Sequence, residues 1–192
     1  MSKGFSIFNS HLQLAHLYWK HLLSQADWVI DATCGSGFDC AYLTTLVPKG
    51  RVIAIDIQEY AIKKTSLLVK EKNTEHVVDF FLQSHENFPE VVRSHPIKLI
   101  VYNLGYLPSG DRSVVTNATS SMKSIETAAT LLAPGGALSV MCYPGHQEGE
   151  EEETALAYFF RSLSPKNWHV CHHRWPQRPK TPSLFLAQKI EF

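Results

Sequence analysis

Short apolar runs of strand length alternate with amphipathic stretches of helical period along almost the whole chain, and this alternation limits the fold more than any other feature. WVIDAT (28–33), RVIAID (51–56), HVVDFFL (76–82), IKLIVYN (97–103) and ALSVMCY (137–143) have the length and branched side chains of buried strands. Leu12, Ala15, Trp19 and Leu22 predict a helix over 10–24, capped by Asn9 or Ser10. A second helix spans 38–47 and is ended by Pro48 and Gly50; a third, over 58–72, turns Ala61, Thr65, Leu68 and Val69 inward. Ile125, Ala128, Ala129 and Leu132 mark a fourth, stopped by Pro134-Gly135-Gly136, and Leu156, Phe159, Phe160 and Leu163 a fifth. Alternation of this kind demands parallel strands joined by right-handed crossovers, with helices on both faces. WHVCHHRW (168–175) and SLFLAQKIEF (183–192) then follow each other with no helix between them, so the sheet should close with an antiparallel strand. The expectation is a mostly parallel, seven-stranded α/β sheet with an antiparallel C-terminal strand.

That ending departs from most dinucleotide-binding domains and matches the Rossmann-like sheet of class I methyltransferases. The 192 residues suit a single domain, 1–192, with residues 1–25 packing on it as a helix. The 18 basic and 18 acidic side chains balance, so any basic surface for a nucleic acid must be local. No apolar stretch reaches the roughly 18 residues of a membrane span. MSKGFSIFNSHLQ lacks the apolar core of a signal peptide. Cys34, Cys40, Cys142 and Cys171 show no CxxC pair, and a reduced, cytoplasmic location is expected.

Asp31-Ala32-Thr33-Cys34-Gly35-Ser36-Gly37-Phe38-Asp39 places a glycine turn at the end of the first strand, where a ligand can approach the backbone closely. Asp56 ends the second strand, 21 positions after Gly35, where a carboxylate accepts ribose hydroxyls. NAD and S-adenosylmethionine sites share this layout, since both cofactors carry an adenosine. Cys40 stands where a dinucleotide fingerprint needs a small residue for tight packing. Asp31, just before the glycines, is a counter-charge for an ammonium and a sulfonium, and would repel a pyrophosphate. S-adenosylmethionine is the expected cofactor; NAD, or a strand-end turn without a ligand, is the alternative.

Asn103-Leu104-Gly105-Tyr106-Leu107-Pro108 ends the fourth strand, on the edge that faces the cofactor crevice. It loosely resembles the Asn/Asp-Pro-Pro-aromatic motif of amino-group methyltransferases. Asn103 offers a carbonyl oxygen to orient an amine, and Tyr106 a flat surface for a nucleobase; alternatively, Asn103 caps a turn and Tyr106 is core. His146 and His85 are candidates to assist proton removal, a task that water can also perform.

DATCGSGFD, IDIQ (55–58), SHEN (84–87), NLGYLPSGD (103–111), the 116–121 stretch and YPGHQEGEEEE (143–153) together resemble one family, from about residue 28 onward. It is the class I methyltransferase family once labelled rRNA methylases and now understood as tRNA 5-(aminomethyl)-2-thiouridine methyltransferases. The resemblance implies N-methylation of the 5-aminomethyl group on the wobble uridine, giving 5-methylaminomethyl-2-thiouridine, and a homodimer. It implies donor contacts from Ser36, Asp39, Asp56, Gln58, Ser84 and His85. Ser36 and Phe38 stand where the family usually has Asn and His; Pro144 replaces the first histidine of its Tyr-His-Gly-His pattern; and Lys180-Thr181-Pro182-Ser183 replaces an Asn-x-Pro-Pro motif.

Glu148 and the run 150–153 precede the fifth helix, where carboxylates favour the positive end of the dipole; a substrate or metal role is the alternative. Cys171-His172-His173 converge poorly for a metal, because neighbouring strand residues face opposite ways, so no metal is expected. His169, His173, Arg174, Arg178 and Lys180, interleaved with Trp168 and Trp175, suit an anticodon loop through phosphates and stacking, or else form a solvated strand edge. The candidate catalytic residues are therefore Asn103, Tyr106 and His146. The candidate donor contacts are Asp31, Gly35, Ser36, Gly37, Asp39, Asp56, Gln58, Ser84, His85 and Asn103. Tyr106, Pro108, Tyr143, Arg174 and Arg178 are the candidate contacts to tRNA. A methyltransferase for rRNA or a small amine, and a non-catalytic RNA-binding module in a methyltransferase shell, are the rival readings.

Overall fold

Four apolar strands that pair in parallel set the centre of the molecule: β1 (Trp28–Asp31), β2 (Arg51–Asp56), β3 (Val78–Leu82) and β4 (Ile97–Asn103). The computed structural model describes residues 10–105 and 116–191. With β5 (Leu132–Cys142), β6 (Trp168–His173) and β7 (Ser183–Lys189) they form one sheet of order β3-β2-β1-β4-β5-β7-β6. The chain leaves β1 in one direction and returns on its other side at β4, so a crevice opens between their carboxyl ends. Asp31 pairs with Ala54 of β2 and Val101 of β4, which brings Asp31, Asp56 and Asn103 to the same edge. β7 runs antiparallel to both β5 and β6, the closing hairpin read from the sequence.

Alternating side chains of the sheet feed two apolar layers. Val29, Val52, Leu99 and Val101 pack under α1 (His11–Leu22), α2 (Phe38–Leu46) and α3 (Glu59–Glu71), through Trp19, Leu43 and Val69. Ile30, Ile53, Ile100 and Leu138 pack under α4 (Ala118–Leu131) and α5 (Gln147–Ser162), through Ile125, Leu156 and Phe160. Ser10 caps α1, its hydroxyl accepting the Gln13 N–H at 3.2 Å. Among the described residues no helix is long and apolar enough to cross a membrane.

The structure moves the starts of two strands and adds one short element. A single 3₁₀ turn, Glu75–Val77, takes the start of the expected third strand, so β3 begins at Val78. A second 3₁₀ turn, Glu90–Ser94, has no periodic signal in the sequence. Pro134-Gly135-Gly136 lies within β5 instead of between helix and strand: Leu132 already pairs with Ile97, and the register slips before Leu99 meets Ala137. Glycine is required there, since Gly135 has φ +71° and a Cβ on Gly136 would stand 2.9 Å from the Ala133 carbonyl oxygen.

Candidate functional site

The turn after β1 is drawn against the end of β2 by backbone bonds. Cys34 N–H donates to the Ile55 carbonyl and Gly35 N–H to Asp56 Oδ2, both at 2.9 Å; the other carboxylate oxygen of Asp56 accepts the Gln58 N–H at 2.9 Å. Gly37, at φ +84°, lies so close to α3 that a Cβ would stand 2.9 Å from the Thr65 Cα. The backbone therefore forms an open cradle at the crevice. A cavity of about 770 Å³ begins there and runs toward Asn103, Tyr143 and His146.

Three carboxylates converge on the cradle. Asp31 is buried, 1% exposed, and burial pushes its carboxyl well above the usual carboxylate range, with Asp39 and Asp56 adding to the shift. Its Oδ1 accepts the Thr33 N–H at 3.3 Å, the backbone of Cys40 also favours its charged form, and its Oδ2 makes no full hydrogen bond among the described residues. An orphaned buried carboxylate oxygen beside two further acidic groups fits a cationic ligand. S-adenosylmethionine, with its ammonium and sulfonium, suits this donor set, whereas a pyrophosphate would meet three acidic groups. When bound, it supplies a methyl group activated by the sulfonium. Asp56, held by two backbone N–H groups, keeps lone pairs for ribose hydroxyls.

Ten of the residues expected at the site line this one cavity: Gly35, Ser36, Gly37, Asp39, Asp56, Gln58, Ser84, His85, Asn103 and His146; Tyr143 does so too, whereas Asp31 is buried and does not line it, though its neighbours Ala32 and Thr33 do. Tyr106 and Pro108 lie outside the described residues. Arg174 and Arg178 do not line the cavity: Arg174 pairs with Glu153 at 3.3 Å, and Arg178 sits in an exposed turn. Ser84 accepts the Glu86 N–H at 3.2 Å, which caps the turn, while still facing the cavity.

The cavity's other end is polar. Asn103 Nδ2 donates to Asp39 Oδ2 at 3.4 Å, which leaves its carbonyl oxygen as the atom to offer a ligand. Asp39 Oδ1 is met by His16 Nε2 of α1 at 2.8 Å. Burial and the neighbouring Asp39 push the Tyr143 hydroxyl up, against a hydrogen bond with Asn103. Burial lowers the affinity of His85 for a proton, so the ring is neutral near pH 7, and its Nδ1 is without a partner among the described residues. His146 Nδ1 lies 3.2 Å from both the Gly149 N–H, which it accepts as the cap of α5, and Glu148 Oε2, to which it can donate. These bonds need opposite tautomers, and donation to Glu148 leaves Nε2 free to accept a proton.

Beyond Asn103 the chain is clasped. Thr116 N–H donates to the Gly105 carbonyl at 3.1 Å, and Gly105 N–H to the Thr116 hydroxyl at 2.8 Å. Glu152, buried in α5, accepts from that hydroxyl at 3.2 Å and from Ser121 at 2.5 Å. Its neighbour Glu153 binds His172 at 3.4 Å, Arg174 and the Ser183 hydroxyl, fastening α5 to the closing hairpin. The acidic run thus splits: Glu148 and Glu150 sit in the first turn of α5, and Glu152 and Glu153 are buried acceptors. His16 supports the cavity and was passed over in the sequence reading, while Leu12, Thr116, Lys180 and Pro182, read there only as helix face, family motif or basic cluster, line the cavity itself. The i, i+4 spacing of Leu12 and His16 on an otherwise apolar helix face was the available signal for α1.

Fold and site together define a class I, S-adenosylmethionine-dependent methyltransferase. A family model described as "Putative rRNA methylase" matches residues 52–189. The chain belongs to that family, the one its motifs resemble. The chloroplastic tRNA (mnm(5)s(2)U34)-methyltransferase of Arabidopsis thaliana is 32% identical over 189 residues, spanning 93% of this chain and 69% of that protein. A crystal structure from Clostridium thermocellum described as a "putative rRNA-methylase" superposes with a TM-score of 0.90 at 34% identity, over 97% of this chain and 100% of that one. A "putative methyltransferase" from Streptococcus mutans, solved in complex with SAH, gives 0.83 at 28% identity, over 96% and 100%.

Proposed function

We propose that the protein methylates the aminomethyl nitrogen at position 5 of the wobble (2-thio)uridine of tRNA, in the cytoplasm, giving 5-methylaminomethyl-2-thiouridine. The observation that carries this reading is the Asn103 amide: its nitrogen is committed to Asp39, so its carbonyl oxygen is presented to the cavity that begins at the glycine turn. A carbonyl acceptor there takes an N–H of a neutral amine and turns the lone pair toward the donor's methyl group. Alignment of this kind is worth roughly 7–11 kcal/mol when both partners are held. The name of the Arabidopsis relative supports the wobble uridine as target.

Each remaining residue has a task in this reading. Asp31 balances the donor's ammonium, and Asp56 and Gln58 hold its ribose and adenosine. Ser36, Ser84 and His85 complete the donor contacts. Tyr106, Pro108 and Tyr143 carry the uracil. Arg174 and Arg178 meet anticodon-loop phosphates. The amine's proton leaves to water, or to the Nε2 of His146 when its Nδ1 donates to Glu148. The working form is a homodimer, which sedimentation measurements check.

Purified protein incubated with labelled S-adenosylmethionine and tRNA bearing unmethylated 5-aminomethyl-uridine tests the reading. Digestion to nucleosides should place the label in 5-methylaminomethyl-(2-thio)uridine. No transfer to this tRNA, with donor binding intact, overturns it. The description of the matched family favours a second reading, rRNA as substrate; label recovered in rRNA with tRNA unlabelled would establish that instead.

A further inference from the structure

Helix α1 reaches the cavity wall through one ring. His16 Nε2 lies 2.8 Å from Asp39 Oδ1, with the two side chains 25% and 14% exposed. The ring is held on two sides: it stacks on Tyr42 with centroids 4.1 Å apart and 17° between planes, and Trp19 lies 4.8 Å away. Tyr42 also donates its hydroxyl to the His16 carbonyl at 3.3 Å, so ring and backbone are fixed together. Packing alone asks only for an apolar ring at this position. A nitrogen aimed at a carboxylate of the donor cavity asks for more.

The consequence lies one bond further on. An asparagine amide has nearly the same shape when flipped, and only its neighbours decide which end faces a ligand. A carboxylate, which accepts and never donates when ionised, admits only the N–H end. Asp39 therefore selects the Asn103 rotamer that turns the carbonyl oxygen to the cavity. Held at one oxygen only, Asp39 is free to swing about its own terminal torsion; held at Oδ1 by His16 and at Oδ2 by Asn103, it is not.

We propose that His16 is a positioning residue for methyl transfer, fixing Asp39 so that Asp39 fixes the Asn103 carbonyl oxygen toward the amine. This rests on the functional reading above for the identity of the amine, and adds helix α1 to the active site.

Two variants separate the polar role from packing. His16→Leu keeps an apolar side chain against Tyr42 and Trp19, whereas His16→Gln keeps a side-chain N–H within reach of Asp39. With saturating donor and aminomethyl-uridine tRNA, His16→Leu is expected to lower kcat about tenfold, with KM for tRNA and the donor Kd each changed by less than about threefold. His16→Gln is expected to recover most of that kcat. A second measurement needs no substrate: the ¹⁵N resonance of the Asn103 side-chain amide, assigned by its loss in Asn103→Gln. It should move in His16→Leu and stay near its wild-type position in His16→Gln. An unmoved amide in His16→Leu, or a kcat loss that His16→Gln fails to recover, overturns the proposal. Wild-type protein that leaves this tRNA unmethylated overturns the substrate reading alone, and the amide resonance still decides the role of His16.

Discussion

Asp56 accepts the Gly35 N–H at 2.9 Å, so the carboxylate that ends β2 also holds the glycine turn that follows β1. Its second oxygen accepts the Gln58 N–H, and the same side chain shapes both walls of the cradle. Asp56→Asn keeps the size of the group but turns one acceptor into a donor facing a backbone N–H. Charge-assisted bonds of this type contribute about 1.5–3 kcal/mol, so donor affinity should fall at least about tenfold. Calorimetric titration of the variant reads this directly; an unchanged Kd would remove Asp56 from the donor site.

Gly37→Ala places a methyl group 2.9 Å from the Thr65 Cα on a backbone at φ +84°. The left-handed conformation alone costs about 1–2 kcal/mol for a residue with a Cβ. Thr65 belongs to the backbone of α3 and gives way only if helix and turn separate. We expect Tm to drop by several degrees, roughly 2–4 °C per kcal/mol at this chain length, together with loss of donor binding. A variant of wild-type Tm and affinity would show that the turn has more room than its contacts allow.

Asp31 holds its proton more tightly than an ordinary carboxylate, through burial and then the charges of Asp39 and Asp56. A cationic ligand favours the ionised form, so it lowers this pKa when it binds. Below the raised value, donor binding is expected to release a proton and to weaken as the pH falls. Calorimetry in two buffers of different ionisation enthalpy gives the number of protons exchanged. Proton uptake, or none at any pH across the acid range, would contradict the placement of the donor's charge near Asp31. Asp31→Asn should abolish the exchange.

Glu152 is a buried acceptor whose pKa is raised by burial, against hydrogen bonds from Ser121 and Thr116. The folded state therefore binds this proton more tightly than the unfolded chain does. Its contribution to stability is full at pH below the ordinary carboxylate value and declines as pH rises through the raised value. Glu152→Gln should flatten this part of the stability–pH curve, which urea unfolding at several pH values measures. Glu152→Ala leaves Ser121 without its acceptor and should cost about 1–3 kcal/mol. A Glu152→Gln curve with the wild-type slope would place the titrating group elsewhere.

Strand–helix alternation carried the parallel pairing, the antiparallel close and the position of the cofactor turn, because buried parallel strands and their crossovers impose local periods that a sequence displays. Asp31, Gly35, Gly37 and Asp56 were legible for the same reason: the backbone of a strand-end turn restricts residue type within a few positions. Contacts made across the fold left no such mark. His16 is one polar residue on an apolar helix face, and nothing local says that Asp39, 23 positions later, will lie beside it. Glu152 and Glu153 read as part of an acidic run favoured by the dipole of the fifth helix, yet helical geometry turns these two inward, onto Ser121 and Ser183. The start of β5 was misplaced because Pro134-Gly135-Gly136 signals a break equally well for a helix end and for a bulge inside a strand.

The clasp between Gly105 and Thr116 joins the sheet to α4 at a neck where, among the described residues, the hydrogen bonds run between Gly105, Thr116 and Glu152. The bonds of the clasp itself are made by residues on either side of residues 106–115. A segment suited to a different acceptor can be set between these two residues while the donor cradle, built at the ends of β1 and β2, stays in place. Grafting such a segment between Gly105 and Thr116 is thus a route to redirecting the enzyme without redesigning its core.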